Sequence, residues 1–235
     1  MQAVILAGGK GTRLKPYTNN IPKPLVKLDD MPILEIVLRQ LKKFGVKEVF
    51  LAVNHLSDLI ESFFKDGDHL GLKIFYSKER DPLGTAGPLN LIENLDNNFI
   101  MMNGDILTTL NFKDMFMKHD YNKSLASIAV YNRELRIDLG ILELDNKNNF
   151  SNYIEKPVFN YNVSTGIYIF NKMVKDYIPK NIKFDMPELI QSIHKNKKNI
   201  FCYKSNFDWL DIGRVDDYEK ANILFKENKS KYLNL

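Results

Sequence analysis

The glycines Gly8, Gly9 and Gly11 follow directly on the apolar run Ala3-Val4-Ile5-Leu6-Ala7 and precede Thr12 and Arg13. Without a Cβ, such a stretch lets consecutive backbone N–H groups converge on an anion, a recurring way of holding phosphate after a strand. Arg13, and Lys23 within Pro22-Lys23-Pro24, add the charge that phosphate requires. Two common phosphate loops are excluded. A Walker A loop needs Ser or Thr after its Lys, but Lys10 is followed by Gly11. The dinucleotide fingerprint needs another glycine where this chain has Leu14. Two readings remain: a phosphate nest of another kind, or a tight strand-to-helix turn carrying surface charge.

Two aspartates stand in settings that could do chemistry with phosphate. Asp105 closes the apolar run Asn98 to Met102 through Asn103-Gly104, and Asp211 sits within Trp209-Leu210-Asp211-Ile212-Gly213. A carboxylate framed by apolar residues is costly to bury unless it is paired or bound to a cation. With a phosphate loop nearby, the pair points to Mg²⁺, a hard ion held by one or two carboxylates and the substrate's own phosphates. The plainer readings are a turn aspartate for Asp105 and a helix cap for Asp211. The four histidines, His55, His69, His119 and His194, form no catalytic arrangement and read as surface or helix packing.

The elements that must position these residues alternate at first. Pro32 to Phe44 reads as an amphipathic helix with Ile33, Ile36, Val37, Leu41 and Phe44 on one face, Pro32 in its first turn and Gly45 at its end. Glu48 to Val53 predicts a strand, and Leu56 to Lys65 a helix with Leu59, Ile60, Phe63 and Phe64 inward. Strands follow at Leu72 to Ser77 and Asn98 to Met102. This order predicts an α/β fold with a mostly parallel sheet covered on both faces, whose ligands gather beyond the carboxyl ends of the strands. After about residue 120 the rhythm changes. Strands are predicted at Ser124 to Tyr131, Leu139 to Leu144, Phe150 to Ile154 and Val163 to Phe170, closer to an antiparallel lobe. Helices at Lys172 to Tyr177, Pro187 to Lys195 (capped by Asp185) and Val215 to Glu227, with a strand near Ile200 to Tyr203, complete the pattern. No linker or repeat divides the chain, so residues 1–235 read as one domain, with halves of about 1–110 and 111–235.

Composition narrows the class further. The 235 residues are 44% hydrophobic and 26% charged, near the globular average, and no apolar run is long enough to cross a bilayer. A cytoplasmic protein without a membrane partner is expected. The net charge of +4 is spread along the chain, which fits small phosphorylated ligands better than nucleic acid. The basic stretch His194 to Lys198 reads as a solvated helix end. Cys202 is the only cysteine, excluding an intrachain disulfide, and its apolar setting reads as strand core.

Leu6-Ala7-Gly8-Gly9-Lys10-Gly11-Thr12-Arg13-Leu14 followed by Pro22-Lys23-Pro24 resembles the signature of the sugar-1-phosphate nucleotidyltransferases. Further segments match that family in order, so the resemblance spans nearly the whole chain. It implies a Rossmann-like mixed, mostly parallel sheet flanked by helices, with a small antiparallel lobe on the sugar side. It also implies a nucleotide site formed by Leu6, Ala7, Gly8, Gly9, Gly11, Thr12, Arg13 and Asp105, with Leu83-Gly84-Thr85-Ala86-Gly87 bordering base and ribose. Within it, Arg13 and Lys23 are the catalytic cations, Arg13 on the departing pyrophosphate and Lys23 on the α-phosphate. Asp105 and Asp211 are the Mg²⁺ ligands. Glu155-Lys156-Pro157 resembles the family's Glu-Lys-Pro motif, implying Glu155 on sugar hydroxyls and Lys156 on the sugar phosphate. Gly140 and Thr165-Gly166 complete the implied sugar-phosphate site.

The stretch from Asp81 to Leu89 is most similar to members that use GTP with mannose- or heptose-type phosphates. Uridylyl, thymidylyl and cytidylyl transfer stay open, as does a non-catalytic nucleotide-sugar-binding subunit. At Thr165 many members carry a different residue, and its hydroxyl is expected to alter a hydrogen bond to the sugar. The C-terminal β-helix of some relatives is expected to be absent, and a homo-oligomer stays open.

Overall fold

The computed structural model describes residues 1–233. In chain order the elements are β1 (Gln2–Leu6), β2 (Lys27–Leu28), β3 (Met31–Pro32), α1 (Ile33–Lys43), β4 (Glu48–Val53), α2 (Ser57–Phe64), β5 (Lys73–Lys78), β6 (Asn98–Asn103) and β7 (Ile106–Thr108). There follow α3 (Phe112–Tyr121), β8 (Ala126–Arg136), β9 (Ile141–Leu144), β10 (Phe150–Ile154), β11 (Val158–Asn171), α4 (Met186–Lys195), β12 (Ile200–Lys204), β13 (Trp209–Asp211), α5 (Val215–Glu227) and α6 (Lys229–Leu233). A seven-stranded sheet in the order β12-β8-β11-β6-β1-β4-β5 forms the centre. β11 is antiparallel to both its neighbours, and every other pairing is parallel.

Period-two alternation sorts the core onto the two faces of this sheet. Ala3 and Ile5 of β1, Ile100 and Met102 of β6, and Ile167 and Ile169 of β11 meet α1, α2 and α3 on one face. Val4, Phe99, Met101, Tyr168 and Phe170 point the other way, against α4 and the turn carrying Leu89. A third cluster joins Ile33 and Ile36 of α1 to Leu14, Leu107, Ile212, Phe225 and Tyr232. Each fully buried aliphatic or aromatic side chain contributes about 1.5–3 kcal/mol.

Several expectations are corrected by this packing. α1 is buried on two sides, with Val37 and Leu41 against the sheet and Ile33 and Ile36 against α5, because α5 and α6 fold back over it. In α2 only Ile60 and Phe64 are buried, while Leu59 and Phe63 are exposed at the edge of the sheet. The segment Lys172–Tyr177 is a run of 3₁₀ turn. Cys202 is exposed: β12 is an edge strand, and its buried residue Tyr203 points to the opposite face. The small antiparallel lobe is present, as the β9–β10 hairpin together with the outer halves of β8 and β11, which pair antiparallel beyond the part of β11 that meets β6, while their inner halves extend the central sheet. The strand predicted over Val163 to Phe170 runs from Val158 to Asn171 and pairs with β8 on either side of an irregularity between Ser164 and Tyr168.

His119 lies in the core side of α3, 1% exposed, with Nδ1 on the Ser127 hydroxyl at 2.8 Å and Nε2 without a partner. Burial pushes its imidazole below the ordinary 6.5, more than nearby Asp120 pulls it up. The folded state therefore binds fewer protons than the unfolded chain, and stability is lost as pH falls below 6.5 toward the depressed value. In melting curves at about pH 8 and about pH 5.5, on either side of the ordinary imidazole value, His119→Gln is expected to narrow the drop in Tm. An unchanged drop assigns acid sensitivity to other groups.

Candidate active site

The carboxyl ends of β1 and β6 lie side by side, with Leu6 opposite Asn103. β1 pairs with β4 on one side and β6 on the other, so the chain order reverses at this point and a crevice opens beyond the strand ends. Gly8 and Gly104 permit the close approach. A Cβ at Gly104 would sit 3.0 Å from the Leu6 carbonyl, and one at Gly8 would sit 3.1 Å from the Asn54 side chain. A Cβ at Gly9 would meet nothing within 4 Å, leaving its backbone facing open space. Gly11 adopts φ 62° and its carbonyl accepts from the Thr18 hydroxyl at 2.8 Å. Only a 3₁₀ turn, Thr12–Leu14, follows, so the loop is not the entry to a helix.

Two aspartates 106 positions apart in sequence are brought together by a short ribbon. Asp105 immediately precedes β7, and β13 pairs antiparallel with β7, placing Asp211 opposite Ile106. The Ile212 N–H then donates to the Asp105 carbonyl at 3.0 Å. Lys23 donates to Asp105 Oδ2, while Asp105 Oδ1 is buried without a partner. Burial, and next the neighbouring Asp105 charge, push the Asp211 carboxyl above its ordinary range, with Lys23 and Arg13 pulling it back. Around Gly213 the carboxylates of Asp211 and Asp217 and the Arg13 guanidinium converge, at 3.5, 3.7 and 3.8 Å from where a Cβ would stand.

Asp105 does stand in a turn, between β6 and β7, as its plainer reading has it, whereas Asp211 does not take its plainer role. Asp211 ends a strand instead of capping a helix; α5 is capped by Asp217, which accepts from the Arg214 N–H at 3.1 Å. The donor set fits a hard divalent cation. Two coupled carboxylates are present, one with an orphaned oxygen, and no group of three His, Cys, Asp or Glu gathers among the described residues. A cation here would complete its shell with substrate oxygens, as magnesium sites do.

Two cavities open beside this pair. One of about 370 Å³ is lined by Leu6, Gly8, Gly9, Glu79, Thr85 and Asp105. The other, of about 510 Å³, is lined by Arg13, Tyr131, Arg133, Trp209, Asp211 and Arg214. Gly84, at φ 81°, also lines the first and lies against the Phe184 carbonyl and the Asp185 carboxylate. Its loop is bolted to the start of α4: Thr85 N–H donates to Asp185 at 2.9 Å, Phe184 N–H to the Leu83 carbonyl at 2.9 Å, and Gly87 N–H to Phe184 at 3.1 Å. Leu83 and Gly87 thus hold the loop's shape, with Leu83 Cβ 2.8 Å from where a Gly87 Cβ would stand.

The remaining predicted residues divide. Thr165 is buried and its hydroxyl already donates to the Ala129 carbonyl at 2.8 Å, so the expected hydroxyl contact with a sugar is corrected. Gly166, at φ 73° in a β-bulge, approaches the Asn103 side chain, and the Thr165 carbonyl accepts from Trp209 Nε1 at 2.9 Å. Gly140, Glu155 and Lys156 form a separate group at the hairpin and line neither cavity. Gly140 lies under the Tyr153 ring, whose hydroxyl donates to Glu155 at 2.9 Å, and Lys156 adopts φ 43°. A further cavity of about 420 Å³ at the amino ends of β6 and β8, beside His119, Lys123 and Tyr177, contains none of the predicted residues.

Sequence reasoning missed Asn54, His55, Glu79 and Arg133. The first two follow the carboxyl end of β4 as Ala7-Gly8 follows β1, a signal visible once β4 is placed beside β1. Glu79 is half-buried; burial pushes its carboxyl up, against the Leu83 N–H and Asn54, which lower it. Arg133 carried no signal, because only the pairing of β8 with β11 brings it near Trp209.

Fold and site define a nucleotide-handling α/β protein. Residues 2–228 match the nucleotidyl transferase family model, and the chain belongs to that family. It is 34% identical to the D-glycero-alpha-D-manno-heptose 1-phosphate guanylyltransferase of Campylobacter jejuni, over 93% of this chain and 97% of that protein. It is 32% identical to the UTP–glucose-1-phosphate uridylyltransferase of Synechocystis, over 98% of this chain, and spans 65% of that relative's length. Among solved structures, HddC from Yersinia pseudotuberculosis complexed with GMP-PN is 27% identical with a TM-score of 0.72, covering 95% of this chain and 99% of that one.

Gly166→Ala would force an L residue into the left-handed region and drive a Cβ to 2.6 Å from Asn103 Nδ2. An expected loss of about 1–3 kcal/mol, read from urea unfolding, follows from such backbone strain. A neutral result would mean that the bulge relaxes freely.

Proposed function

We propose that this chain transfers a nucleoside monophosphate, from GTP by preference, to a mannose- or heptose-type sugar 1-phosphate, releasing pyrophosphate. The observation that carries the reading is the meeting of two cavities at one carboxylate pair, a glycine-lined cavity with an anion nest and a second in which Arg13, Arg133, Arg214 and Lys220 stand among Asp211, Asp216 and Asp217. Family membership supports the reaction class. In this reading the glycine-lined cavity takes the base and α-phosphate of the NTP, and the second takes the sugar phosphate at Arg133, with Arg13, beside Asp211 where the two meet, facing the leaving pyrophosphate.

An oxygen of the sugar phosphate attacks the α-phosphorus, and the bond from that phosphorus to the bridging oxygen of the β-phosphate breaks. Such transfers need positioning and charge stabilisation more than covalent chemistry. Backbone N–H groups from Gly8 to Thr12 hold the triphosphate, Arg13 neutralises the leaving pyrophosphate, and Lys23, anchored on Asp105, draws charge from the α-phosphate. A magnesium-type cation held by Asp105 and Asp211 supplies further neutralisation of phosphate oxygens when bound. No general base is required, because the attacking phosphate is already anionic near neutral pH. In this reading Glu155, held by the Tyr153 hydroxyl, serves the sugar hydroxyls and Lys156 its phosphate, as the family's Glu-Lys-Pro motif implies.

The preference for guanine rests on Glu79. A carboxylate accepts from the adjacent N1–H and N2–H₂ donors of guanine, whereas the single donor of uracil or thymine is flanked by carbonyl oxygens that a carboxylate repels. A uridylyl enzyme is the second reading, favoured by the Synechocystis relative. Glu79→Gln is expected to lower kcat/KM for GTP by about tenfold, near 1.4 kcal/mol, and to narrow its lead over UTP. An unchanged ratio removes Glu79 from base recognition.

Asp105→Ala and Asp211→Ala are each expected to reduce pyrophosphate release by at least about 100-fold while melting as a folded protein. Activity near wild type in either variant would sink the two-carboxylate scheme.

A further inference from the structure

The β7–β13 ribbon that joins Asp105 to Asp211 has only three residues on each strand. Isolated pairs of that length do not hold themselves in water. Register matters acutely, because a slip of one residue would turn Asp211 to the opposite face of the ribbon. Something outside the ribbon must pin it. The end carrying the carboxylates is tied by the Ile212 N–H to the Asp105 carbonyl. The other end, about 10 Å away at roughly 3.3 Å per residue, is closed by the Thr109 N–H on the Asp208 carbonyl at 3.0 Å and by Trp209 Nε1 on the Thr165 carbonyl, and is gripped from the helical side by one buried side chain of α1.

Gln40 is 1% exposed among apolar residues of α1. Its Nε2 donates to the Thr108 carbonyl at 2.7 Å and to the Tyr232 carbonyl of α6 at 2.5 Å. Thr108 passes the connection on: its hydroxyl donates to the Asp208 carbonyl at 2.7 Å, while Asp208 N–H donates to the Thr109 hydroxyl at 2.8 Å. Lys231 of α6 closes the loop on the Asp208 carboxylate at 2.5 Å. The amide is costly where it stands, since its Oε1 is buried without a partner. An apolar side chain would fill the space without that cost. What the amide adds is a fixed link between α1, α6 and the strand that leads to both aspartates.

We infer that Gln40 is a positioning residue for the Asp105–Asp211 pair, acting with Thr108 through the register of the β7–β13 ribbon. The inference rests on the two-carboxylate reading of the site. The test uses Gln40→Met and Thr108→Val, which keep shape and remove the donors, beside Val174→Ala, a core truncation in the cluster on the other face of the sheet. Mn²⁺ alone is titrated into each folded protein, the free ion being counted by electron paramagnetic resonance, and Tm is recorded in parallel. Gln40→Met and Thr108→Val are expected to weaken Mn²⁺ binding by about tenfold, the low end for residues that orient metal ligands. Val174→Ala should lower Tm and leave Mn²⁺ affinity alone.

Wild-type Mn²⁺ affinity in Gln40→Met and Thr108→Val, with Tm lowered as in Val174→Ala, would overturn the inference and leave these residues a structural role only. Wild-type affinity in Asp211→Asn would overturn the metal reading itself, and this inference with it.

Discussion

Everything in this site depends on holding two carboxylates next to each other. Burial raises the cost of ionising Asp211, and the Asp105 charge adds to that cost. The fold meets the repulsion with Lys23 on one oxygen of Asp105 and with Arg13 near Asp211, yet leaves Asp105 Oδ1 unsatisfied. A buried oxygen without a donor is a standing deficit that a cation or a donor-bearing ligand relieves.

The central sheet turns this local constraint into a directional one. Parallel strands deliver their carboxyl ends to one edge, so β1, β4 and β6 present Gly8, Asn54 and Asp105 together. The reversed strand β11 brings Thr165 and Gly166 to the same edge from the other direction, where Trp209 fastens the ribbon to them. The two cavities on either side of the carboxylates differ in character. Glycines, Glu79 and a loop bolted to α4 shape one, while arginines and an aromatic pair, Tyr131 and Trp209 with centroids 5.5 Å apart, shape the other. On the proposed reading a base and α-phosphate occupy the first, and a sugar phosphate that presents a ring face and an anion occupies the second.

The loop from Glu79 to Gly87 shows how the halves of the chain cooperate. It belongs to the first half in sequence, but its conformation is set by hydrogen bonds to Phe184 and Asp185. Asp185 serves two purposes, holding Thr85 and capping α4 through the reciprocal bond with Glu188. Base-side geometry is thereby coupled to the helix that packs beneath the second face of the sheet.

Much of this was legible in the residues themselves. Apolar runs ending in glycine and aspartate located the strand ends at Gly8 and Asp105, because a chain leaving a buried strand must turn where its ligand edge lies. Helical spacing placed α1, α4 and α5 within a residue or two. Long-range pairing was not legible. Nothing local in Asn132-Arg133-Glu134 announces a cavity wall, and Cys202 and Phe63 read as core until the sheet edge was known. The chain's own chemistry carried the expectation of phosphate and of a hard cation, since glycine nests, arginine and isolated aspartates have that preference. Only the tertiary structure decided that Asp211 lies opposite Ile106, that Gln40 reaches the ribbon and that Thr165 is spent on Ala129. Each is a contact between residues distant in sequence, set by how strands pair and helices cover them.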